Sequence, residues 1–591
     1  MSGGFRSRSA SGRKPQSQNT SRSQERASSS REDTGRDARE GGKRRDGRGR
    51  VSVGGNKRAP QAEGELRERT GQSGERRSDN SRRGDRGQER FSADGRGRGS
   101  GRGRDHRRGN DNRRGGQRRD REPAQDIPDV DVPRLVTLSA LGAVFNDGAF
   151  GNIALPREIT EAGLSGRDAA FATEIGYGTM RMVGVLDEII GSCSNRPLAD
   201  LDPIVINALR MGTYQLLYTR VEDHAAVDTS VRLVPQRVKG FVNAILRAIQ
   251  KKSLDEWISE LAPEGELAHL AFQTGHPEWI ARSYRATLAS PSGAAGAAGE
   301  SNLEDTEKSG NSSDAVEAEL TKALEADSTR PIVHLAAKPG EISADELSLI
   351  TGGEEGRYSP YAVYLEGGNP AHIEPVREKL AIIQDEGSQL IGTALVRVEV
   401  ADDGGRWLDL CAGPGGKATM IGSLAAIDEA TVTAVEVAPH RGELIRKATE
   451  GLPVTVVVGD GRTVEVGGDF DRVLVDAPCS GLGSLRRRQE SRWTKDEAEI
   501  EGLTQLQYEL LEAGINRCKT GGVVVYSTCS PDLRETREIV DKTLENLPVE
   551  ELDARPLVSP MDNVGEEKSV QMWTYRHGTD SMFFAVLRKT A

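Results

Sequence analysis

The stretch RWLDLCAGPGGKATMIGSLAAI, residues 406–427, joins an apolar strand pattern to a helical pattern through a turn rich in glycine. Glycines at 413, 415 and 416 let the backbone turn tightly and let amides at a helix N-terminus approach a ligand. A strand that leads into a helix through such a turn is typical of doubly wound α/β sheets. We therefore expect an α/β fold if further strands and helices follow.

The C-terminal part of the chain continues this alternation. Strand patterns recur in TVTAVEV (431–437), VTVVV (454–458), DRVLVDA (471–477), GGVVVYS (521–527) and MFFAVLR (582–588). Helical patterns separate them, as in PHRGELIRKATEGL (439–452) and LTQLQYELLEAGINRC (503–518). Such alternation predicts a mostly parallel, doubly wound sheet whose ligands lie beyond the carboxyl ends of the strands. Functional residues should therefore directly follow the strands.

The charge of the chain is unevenly distributed. The 591 residues have a net charge of −11, but residues 1–120 contain 34 Lys and Arg against 17 Asp and Glu. The remainder contains 46 basic residues against 74 acidic ones. The length indicates several domains, and a basic arm on an acidic body is typical of an interaction tail.

The basic arm, residues 1–130, is rich in Arg, Gly and Ser and almost lacks aliphatic side chains, as in DGRGRGSGRGRDHRRGN (94–110). It cannot bury enough apolar surface to offset its ordering entropy, so we expect it to be disordered. Its Arg-Gly repeats resemble RGG segments, which bind RNA with little sequence preference. A merely solubilising tail is the alternative.

Residues 133–288 carry apolar positions at helical spacing, as in LDPIVINALRMGTYQLLYTRV (201–221), and predict an all-α domain. A basic group near Phe241 is either a patch for phosphates or a solvated helix face. It consists of Arg237, Lys239, Arg247, Lys251 and Lys252.

Three segments complete the expected domain organisation. Residues 289–328 are acidic and poor in bulky apolar side chains, which predicts a flexible insertion. Short mixed elements in 331–383 predict a small α+β subdomain that binds RNA, and the α/β domain should occupy 384–591.

The number and spacing of the cysteines indicate the cellular compartment in which we expect the protein. The chain has five, at positions 193, 411, 479, 518 and 529, and none forms a CxxC pair. An odd number at irregular spacing predicts a reducing environment. No run reaches transmembrane length, and the N-terminus lacks the apolar segment of a signal peptide. We therefore expect a soluble, cytoplasmic, metal-free monomer without membrane contact.

Acidic residues follow three of the predicted strands. Glu436 lies 20 residues beyond Gly416, where doubly wound folds place an acid that binds ribose hydroxyls, so it predicts a nucleoside-bearing cofactor. Asp460 and Asp476 follow two further strands. The glycine spacing fits neither GxGxxG nor the triphosphate-binding P-loop. A simple tight turn and acids that cap helices or turns are the alternatives.

Two thiols also follow predicted strands. Cys479 lies three residues after Asp476, and Cys529 ends the run VVVYSTC. Both should therefore lie in one cleft beside a carboxylate. A catalytic pair, a disulfide, a metal site and two inert buried thiols remain open at this point, although metal-ligand spacing is lacking.

These motifs, in this order, closely resemble the Sun/Nop family of RNA 5-cytosine methyltransferases, which are Rossmann-like and dependent on S-adenosylmethionine. The matching strings cover nearly all of 384–589, and DAPCSG and TCS at separate strand ends distinguish the family from DNA cytosine methyltransferases. The strings are QDEGSQL (384–390), LDLCAGPGGKAT (408–419), AVEVAPHR (434–441), GDGR (459–462), DAPCSGLGSLRRR (476–488), YSTCS (526–530) and HGTDSMFFAVLRK (577–589).

Upstream strings resemble the helical NusB-like RNA-binding domain of the bacterial small-subunit (16S) ribosomal RNA methyltransferases in this family. They are LRMGTYQLLY (209–218), HAAVDTSV (224–231) and KGFVNAILR (239–247). This pairing implies one cytosine of small-subunit ribosomal RNA as the target. A transfer RNA cytosine-C5 methyltransferase and a non-catalytic ribosome-assembly or antitermination factor are the alternatives. A nicotinamide oxidoreductase has the right fold class but lacks the glycine fingerprint.

The resemblance implies S-adenosylmethionine as cofactor, with its methionine end against residues 411–417, its ribose on Glu436 and its adenine near Asp460. The complete implied set of cofactor-binding residues is Cys411, Ala412, Gly413, Pro414, Gly415, Gly416, Lys417, Glu436, Arg441, Asp460 and Asp476.

The implied catalytic residues are Cys529, Cys479, Asp476 and Lys417. Cys529, as thiolate, would add to C6 of cytosine so that C5 can attack the methyl group, and Cys479 would help to release the C5 proton. Asp476 and Lys417 would orient the base. Departures from the family are Glu436 in place of a common Asp, RRRQESRW (486–493) in place of an Arg-Pro-Glu pattern, and the extra arm and insertion.

Overall fold

The computed structural model of the protein describes residues 131–294 and 311–591. The predicted disordered arm and part of the predicted flexible insertion lie outside these residues. Within them, no helix is long and apolar enough to cross a membrane.

The N-terminal part of the described chain is all-α, as predicted. Its first helix begins where the Asp131 side chain accepts a hydrogen bond from the Arg134 N–H, and it ends at Gly148 in the left-handed region. The helices are α1 Val132–Asp147, α2 Gly151–Glu161, α3 Gly166–Cys193, α4 Pro203–Tyr218, α5 Asp223–Arg232, α6 Lys239–Ile249, α7 Leu254–Leu261, α8 Glu266–Gln273 and α9 Glu278–Leu288.

One apolar core joins most of these helices. Leu141 of α1, Ile175 and Leu186 of α3, Leu209 of α4 and Leu246 of α6 are fully buried in it. At Gly178 of α3, a Cβ atom would lie 1.9 Å from the ring of Tyr214, so α3 and α4 approach each other where only glycine fits.

A tenth helix, α10 Asn311–Asp327, corrects the expectation of a flexible insertion over 289–328. The acidic composition of the segment concealed a narrow apolar face. On that face Leu320 and Leu324 are fully buried against α9 and the C-terminal part of the chain. The buried Tyr284 hydroxyl of α9 donates to the Asp327 carboxylate over 2.7 Å. The second half of the segment is therefore a packed part of the fold.

A small antiparallel sheet follows, in strand order β2-β3-β1-β4, with two short helices. This is the small α+β fold that the mixed pattern predicts. Its elements are β1 Val333–Ala337, α11 Ala344–Thr351, β2 Glu354–Glu355, β3 Ala362–Leu365, α12 Glu374–Arg377 and β4 Ala381–Ile383.

The C-terminal part is the predicted α/β fold. Every strand predicted from 406 onward is present. The elements are α13 Glu386–Arg397, β5 Arg406–Asp409, α14 Gly416–Ile427, β6 Thr431–Glu436, α15 Pro439–Ala448, β7 Val454–Val458, β8 Phe470–Asp476, α16 Ser491–Thr494, α17 Glu499–Arg517, β9 Cys518–Thr528, α18 Arg537–Asn546, β10 Val549–Leu552, β11 Val570–Gln571, α19 Thr574–His577 and β12 Phe583–Lys589.

The large sheet has the strand order β10-β12-β9-β8-β5-β6-β7, and β11 pairs with β12. Along this order β9, β8, β5, β6 and β7 pair with one another in parallel, whereas β12 pairs antiparallel with β9, β10 and β11. Two apolar cores cover its two faces. In this sheet β6 and β7 lie on one side of β5, and β8 and β9 lie on the other. Because these strands are parallel, the carboxyl ends of β5, β6, β8 and β9 lie along one edge.

The last helices of the helical part pack directly on the C-terminal part. Tyr284 of α9 and Leu324 of α10 share a buried cluster with Leu482, Leu485 and Trp573. The two parts are therefore joined by an apolar core. The domain limits expected from the sequence, 133–288, 331–383 and 384–591, stay predictions.

We predict that Leu324→Ala lowers the free energy of unfolding by about 2–5 kcal/mol, because truncation of a fully buried Leu leaves a cavity. Urea unfolding followed by circular dichroism measures the change. Leu349→Ala, at a position that is 84 % exposed, is the control and should leave the transition in place. An equal effect of both substitutions would show that α10 does not pack as described.

Candidate active site

The parallel sheet brings the predicted site residues to one edge. β8 and β9 are neighbours, with Asp476 paired in register with Ser527. Backbone hydrogen bonds extend this register beyond the strands, since the Ala477 N–H donates to the Ser527 carbonyl over 2.9 Å. The segments that follow these two strands carry Cys479 and Cys529, which are 50 residues apart in sequence.

The two thiols lie in contact. The Sγ atoms of Cys479 and Cys529 are 3.4 Å apart, at hydrogen-bond distance for sulfur, and both cysteines are free. Each side chain is partly buried. The disulfide that the sequence left open is therefore absent from this structure, and the two thiols lie together, as predicted.

The two thiols differ in acidity. The hydrogen bond from Cys479 is the main cause that lowers the pKa of Cys529, and the charges of Arg488 and Lys417 act in the same direction. Burial and Asp476 oppose this shift. The same hydrogen bond, together with burial, raises the pKa of Cys479. Cys529 is therefore the thiol of the pair that loses its proton more readily.

The two cysteine-bearing loops are fixed by backbone contacts. The buried Glu535 carboxylate accepts a hydrogen bond from the Ser480 N–H over 2.8 Å. The Gly483 N–H donates to the carbonyl of Cys529 over 2.9 Å. A Cβ atom at Gly483 would lie 1.7 Å from the carbonyl oxygen of Ser581, so only glycine allows this approach. The position of Cys529 thus depends on a tight three-loop contact.

Asp476 and Lys417 form an ion pair beside the thiols. The Lys417 Nζ donates to Asp476 Oδ2 over 2.9 Å, and the Ser527 hydroxyl donates to Asp476 Oδ1 over 2.9 Å. Burial alone would lower the pKa of Lys417, but the charge and the hydrogen bond of Asp476, together with the nearby Cys529 and Asp409, raise it overall. The ion pair holds both side chains in fixed positions.

The glycine turn packs on Glu436 and Arg441. The Arg441 guanidinium donates to the Gly413 carbonyl over 2.7 Å and lies 3.3 Å from Glu436 Oε2. A Cβ atom at Gly413 would lie 1.9 Å from Glu436 Oε2. The turn continues through Gly415, whose φ of 117° favours glycine, into α14 at Gly416. The turn residues 411–417, Glu436 and Arg441 thus form one continuous wall.

Asp460 is the one predicted site residue whose side chain is engaged elsewhere. It follows β7 at the same edge, but both of its carboxylate oxygens accept hydrogen bonds from the Arg462 guanidinium. These bonds lower the pKa of Asp460 to about 2. Arg462 also bonds Glu509 over 2.7 Å. The carboxylate therefore belongs to a surface ion-pair network in this structure.

Asp409, at the end of β5, is a site residue that the sequence analysis missed. It is buried, and neither carboxylate oxygen has a hydrogen-bond partner among the described residues. Burial, together with the charge of Asp476, raises the pKa of Asp409 to about 7. The available signal was a lone carboxylate within the apolar strand pattern RWLDLC. An unpartnered buried carboxyl at a cleft is typical of a ligand-binding group.

Cys411, in the glycine turn, differs from the thiol pair. Burial and the neighbouring carboxylates Asp409, Asp476 and Glu436 raise its pKa well above the usual range for a thiol. Cys518 is also buried, and it begins β9 instead of ending the preceding helix as expected. Neither thiol has the environment of a nucleophile.

Three further residues support the site without a distinctive sequence signal. Ser527 bonds Asp476, Glu535 holds the Cys479 loop, and the exposed Arg488 acts on the charge of Cys529. Each lies within one of the two cysteine-bearing loops or next to it. Within the described parts of the chain, no cluster of three or more His, Cys, Asp or Glu residues has the arrangement of a metal site.

Comparison with known proteins agrees with this geometry. Residues 398–588 match the family described as 16S rRNA methyltransferase RsmB/F, and residues 132–251 match the NusB family. The chain is 31% identical to ribosomal RNA small subunit methyltransferase B of Cronobacter sakazakii, over 66% of this chain and 85% of that protein. The chain belongs to the RsmB/F family of 16S rRNA methyltransferases. It is therefore an rRNA methyltransferase of the S-adenosylmethionine-dependent class.

Two further proteins are similar to this chain, one in sequence and one in fold. Putative methyltransferase MT1451 of Mycobacterium tuberculosis is 45% identical, over 78% of this chain and 97% of that protein. The crystal structure of PH0851 has a TM-score of 0.63 at 22% identity and covers 78% of this chain and 98% of its own. At that identity the likeness shows a shared fold.

We predict that Cys479→Ala slows alkylation of Cys529 by iodoacetamide at pH 7 by roughly tenfold, since one hydrogen bond to a charged group contributes about 1.5 kcal/mol. The pKa of Cys529 should rise, which shifts the pH profile of alkylation to higher pH. Peptide mass spectrometry identifies the alkylated residue. Cys193→Ala, which removes a partly exposed thiol at the end of α3, is the control and should leave the profile in place.

Proposed function

We propose that the protein transfers a methyl group from S-adenosylmethionine to C5 of one cytosine in 16S rRNA, through a covalent bond between Cys529 and C6 of that base. The observation that carries this proposal is the contact of two free thiols with opposite pKa shifts beside an ionised Asp–Lys pair. A nucleophile and a proton-transfer group are the two functions that methylation at C5 requires.

The residues of the cleft suit this cofactor. The glycine turn leaves backbone room, and Glu436 lies at the end of β6 where an acid binds ribose hydroxyls. Two buried, unpartnered oxygens of Asp409 suit the positive charge of the methionine end. Residues 411–417, Glu436 and Arg441 would hold the group, and Asp460 would reach the adenine side only after it releases Arg462.

When bound, S-adenosylmethionine supplies an electrophilic methyl group on a positively charged sulfur. Cytosine C5 is a weak nucleophile until a group adds to C6. Cys529 performs that addition: its thiolate forms the S–C6 bond, and the electron pair moves to C5, which can then take the methyl group. The lowered pKa of Cys529 favours the thiolate that this addition needs.

Cys479 is suited to the second half of the reaction. Its pKa is raised mainly by the hydrogen bond to Cys529. Once the sulfur of Cys529 is bonded to C6, it carries no negative charge, and the hydrogen bond with Cys479 no longer stabilises a thiolate. Cys479 can then release its proton to solvent. The Cys479 thiolate then takes the proton from C5, the C5–C6 double bond re-forms, and Cys529 leaves as a thiolate.

In this proposal Asp476 and Lys417 hold the base. One oxygen of Asp476 bonds Lys417 and the other bonds Ser527, so the carboxylate has a fixed orientation beside the thiols. A carboxylate accepts hydrogen bonds from the exocyclic amine of cytosine, and an ammonium donates to its carbonyl. The target base must leave its stack to reach these groups.

The choice of substrate rests on family membership and domain content. Related proteins are named as ribosomal RNA small subunit methyltransferases, and the N-terminal match is to the NusB family. These points favour 16S rRNA over transfer RNA.

The test incubates the purified full chain with labelled S-adenosylmethionine and undermethylated 16S rRNA, followed by nucleoside mass spectrometry and a denaturing gel. We expect 5-methylcytosine from the wild type and at least a 1,000-fold loss from Cys529→Ala, because the nucleophile is absent. Cys479→Ala should accumulate a covalent protein–RNA adduct, since the C5 proton is not released.

Cofactor binding to Cys529→Ala, measured by calorimetry, is the control and should equal that of the wild type. Methylation by Cys529→Ala would contradict the assigned nucleophile. Methylcytosine in transfer RNA but not in 16S rRNA would overturn the substrate. RNA binding without any methyl transfer would favour a non-catalytic assembly factor.

We predict that cofactor affinity rises between pH 6 and pH 8, because Asp409 has a pKa of about 7 and must ionise to bind a cation. In the absence of cofactor the raised pKa has the opposite effect on stability: the folded state holds the proton, so stability falls as pH rises from about 4 toward 7. Calorimetry across this range measures the affinity. Asp409→Asn should bind roughly tenfold more weakly at pH 8 and lose the pH dependence, whereas the exposed Asp428→Asn should retain it.

A further inference from the structure

The loop that follows Cys479 bridges the thiol pair and the helical part of the chain. Trp493 Nε1–H donates to the Arg181 carbonyl of α3 over 2.8 Å, and a Cβ atom at Gly184 would lie 2.1 Å from the Trp493 ring. The Gly151 N–H donates to the Glu490 carboxylate over 3.1 Å. These contacts hold the start of α2 against Glu490 and hold α3 against Trp493. Both residues lie in the segment that follows Cys479 in sequence.

An exposed aromatic side chain lies at this contact. Phe150 precedes α2, is 53 % exposed, and has the Arg488 guanidinium over its ring at 5.5 Å from the centroid. Gly151 fixes the position of Phe150, because a Cβ atom there would lie 2.7 Å from Met180 Sδ and 2.8 Å from Glu490 Oε2. An aromatic ring that is held in place yet open to solvent has a surface available for stacking.

Arg488 differs from the two arginines before it. Arg486 and Arg487 both bond the carboxylate of Asp580, whereas Arg488 is exposed and has no carboxylate partner within the described ranges. Its charge reaches Cys529, where it favours the thiolate. A guanidinium without a carboxylate partner in the described ranges therefore lies over the Phe150 ring and also acts on the charge of Cys529.

This arrangement has the chemistry of a single-strand RNA contact. Aromatic rings and guanidinium planes stack on unpaired bases, and a free arginine attracts a phosphate. A target cytosine that leaves its stack exposes the base beside it, which then needs a new stacking partner.

We propose that Phe150 and Arg488 form a composite platform on which the nucleotide next to the target cytosine stacks, with its base on the exposed face of Phe150 and its phosphate at Arg488. The inference rests on the proposed function, because it takes Cys529 as the position of the target base. It makes the helical part of the chain a direct contributor to the active site, in addition to any wider RNA contact.

The test for the ring uses the full-length chain with 16S rRNA and compares Phe150→Ala, Phe150→Trp and Ile153→Ala. Ile153 is 61 % exposed in the first turn of α2 and serves as the matched control. Phe150→Ala should raise KM for RNA and its Kd on the order of tenfold, the effect of one lost base stack, with cofactor affinity and melting midpoint unchanged. Phe150→Trp should restore both values.

The test for the cation measures RNA affinity against salt concentration. Arg488→Ala should reduce the slope of log affinity against log salt by about 1, whereas Arg488→Lys should keep it. Arg157→Ala, which removes an exposed charge on α2, is the control and should leave the slope in place.

Different measurements test the proposed function and the Phe150–Arg488 platform. Formation of 5-methylcytosine by the wild type tests the function, and the Kd of RNA tests the platform even without turnover. A Phe150→Ala variant that binds RNA as well as Ile153→Ala does would overturn the platform. A weaker affinity that accompanies a lowered melting midpoint, without rescue by Phe150→Trp, would show that the Phe150–Arg488 pair only fastens the two parts of the chain together.

Discussion

The parallel pairing of β8 with β9 is the constraint on which the active site depends. It places the carboxyl ends of the two strands side by side, with Asp476 opposite Ser527. The loops that leave these ends then cross closely enough for the Cys479 and Cys529 sulfurs to approach within 3.4 Å. Gly483 makes the crossing possible, since no side chain fits between it and Ser581. A shift of one residue in the strand register would separate all of these groups.

The groups around each thiol differ, and they shift the pKa values of the thiols in different directions. Lys417 and Asp476 neutralise each other in a partly buried pair, so neither leaves an uncompensated charge beside the thiols. Cys529 gains its acidity from the Cys479 hydrogen bond and from the cations Arg488 and Lys417. Cys411 is buried near the carboxylates of Asp409, Asp476 and Glu436, which raise its pKa and favour the protonated thiol. The sequence supplies several cysteines, and their surroundings lower the pKa of Cys529 while they raise those of Cys479 and Cys411.

The helical part and the catalytic part are built as one unit. α9 contributes Ser283 and Thr287, whose hydroxyls bond the Asp532 carboxylate and the Pro531 carbonyl just beyond Cys529. α10 buries Leu320 and Leu324 in the same junction. RNA that contacts the helices therefore acts on elements that directly support the catalytic loops. This construction gives a physical route by which substrate binding and thiol position are coupled.

The sequence alone determined the α/β class and the loops that follow its strands, because the period of apolar residues and the glycine turn at 413–416 are local signals. It also placed Cys479, Cys529, Asp476 and Glu436 after strands. It failed for α10, where acidic residues masked a narrow apolar face, and for Asp409, whose significance lies in the burial of its unpartnered oxygens. Only the tertiary structure decided which thiol is acidic, since that depends on distances between groups 50 residues apart. The contact of Phe150 with Arg488 also had to come from the tertiary structure, because no local pattern records which surfaces a folded chain brings together.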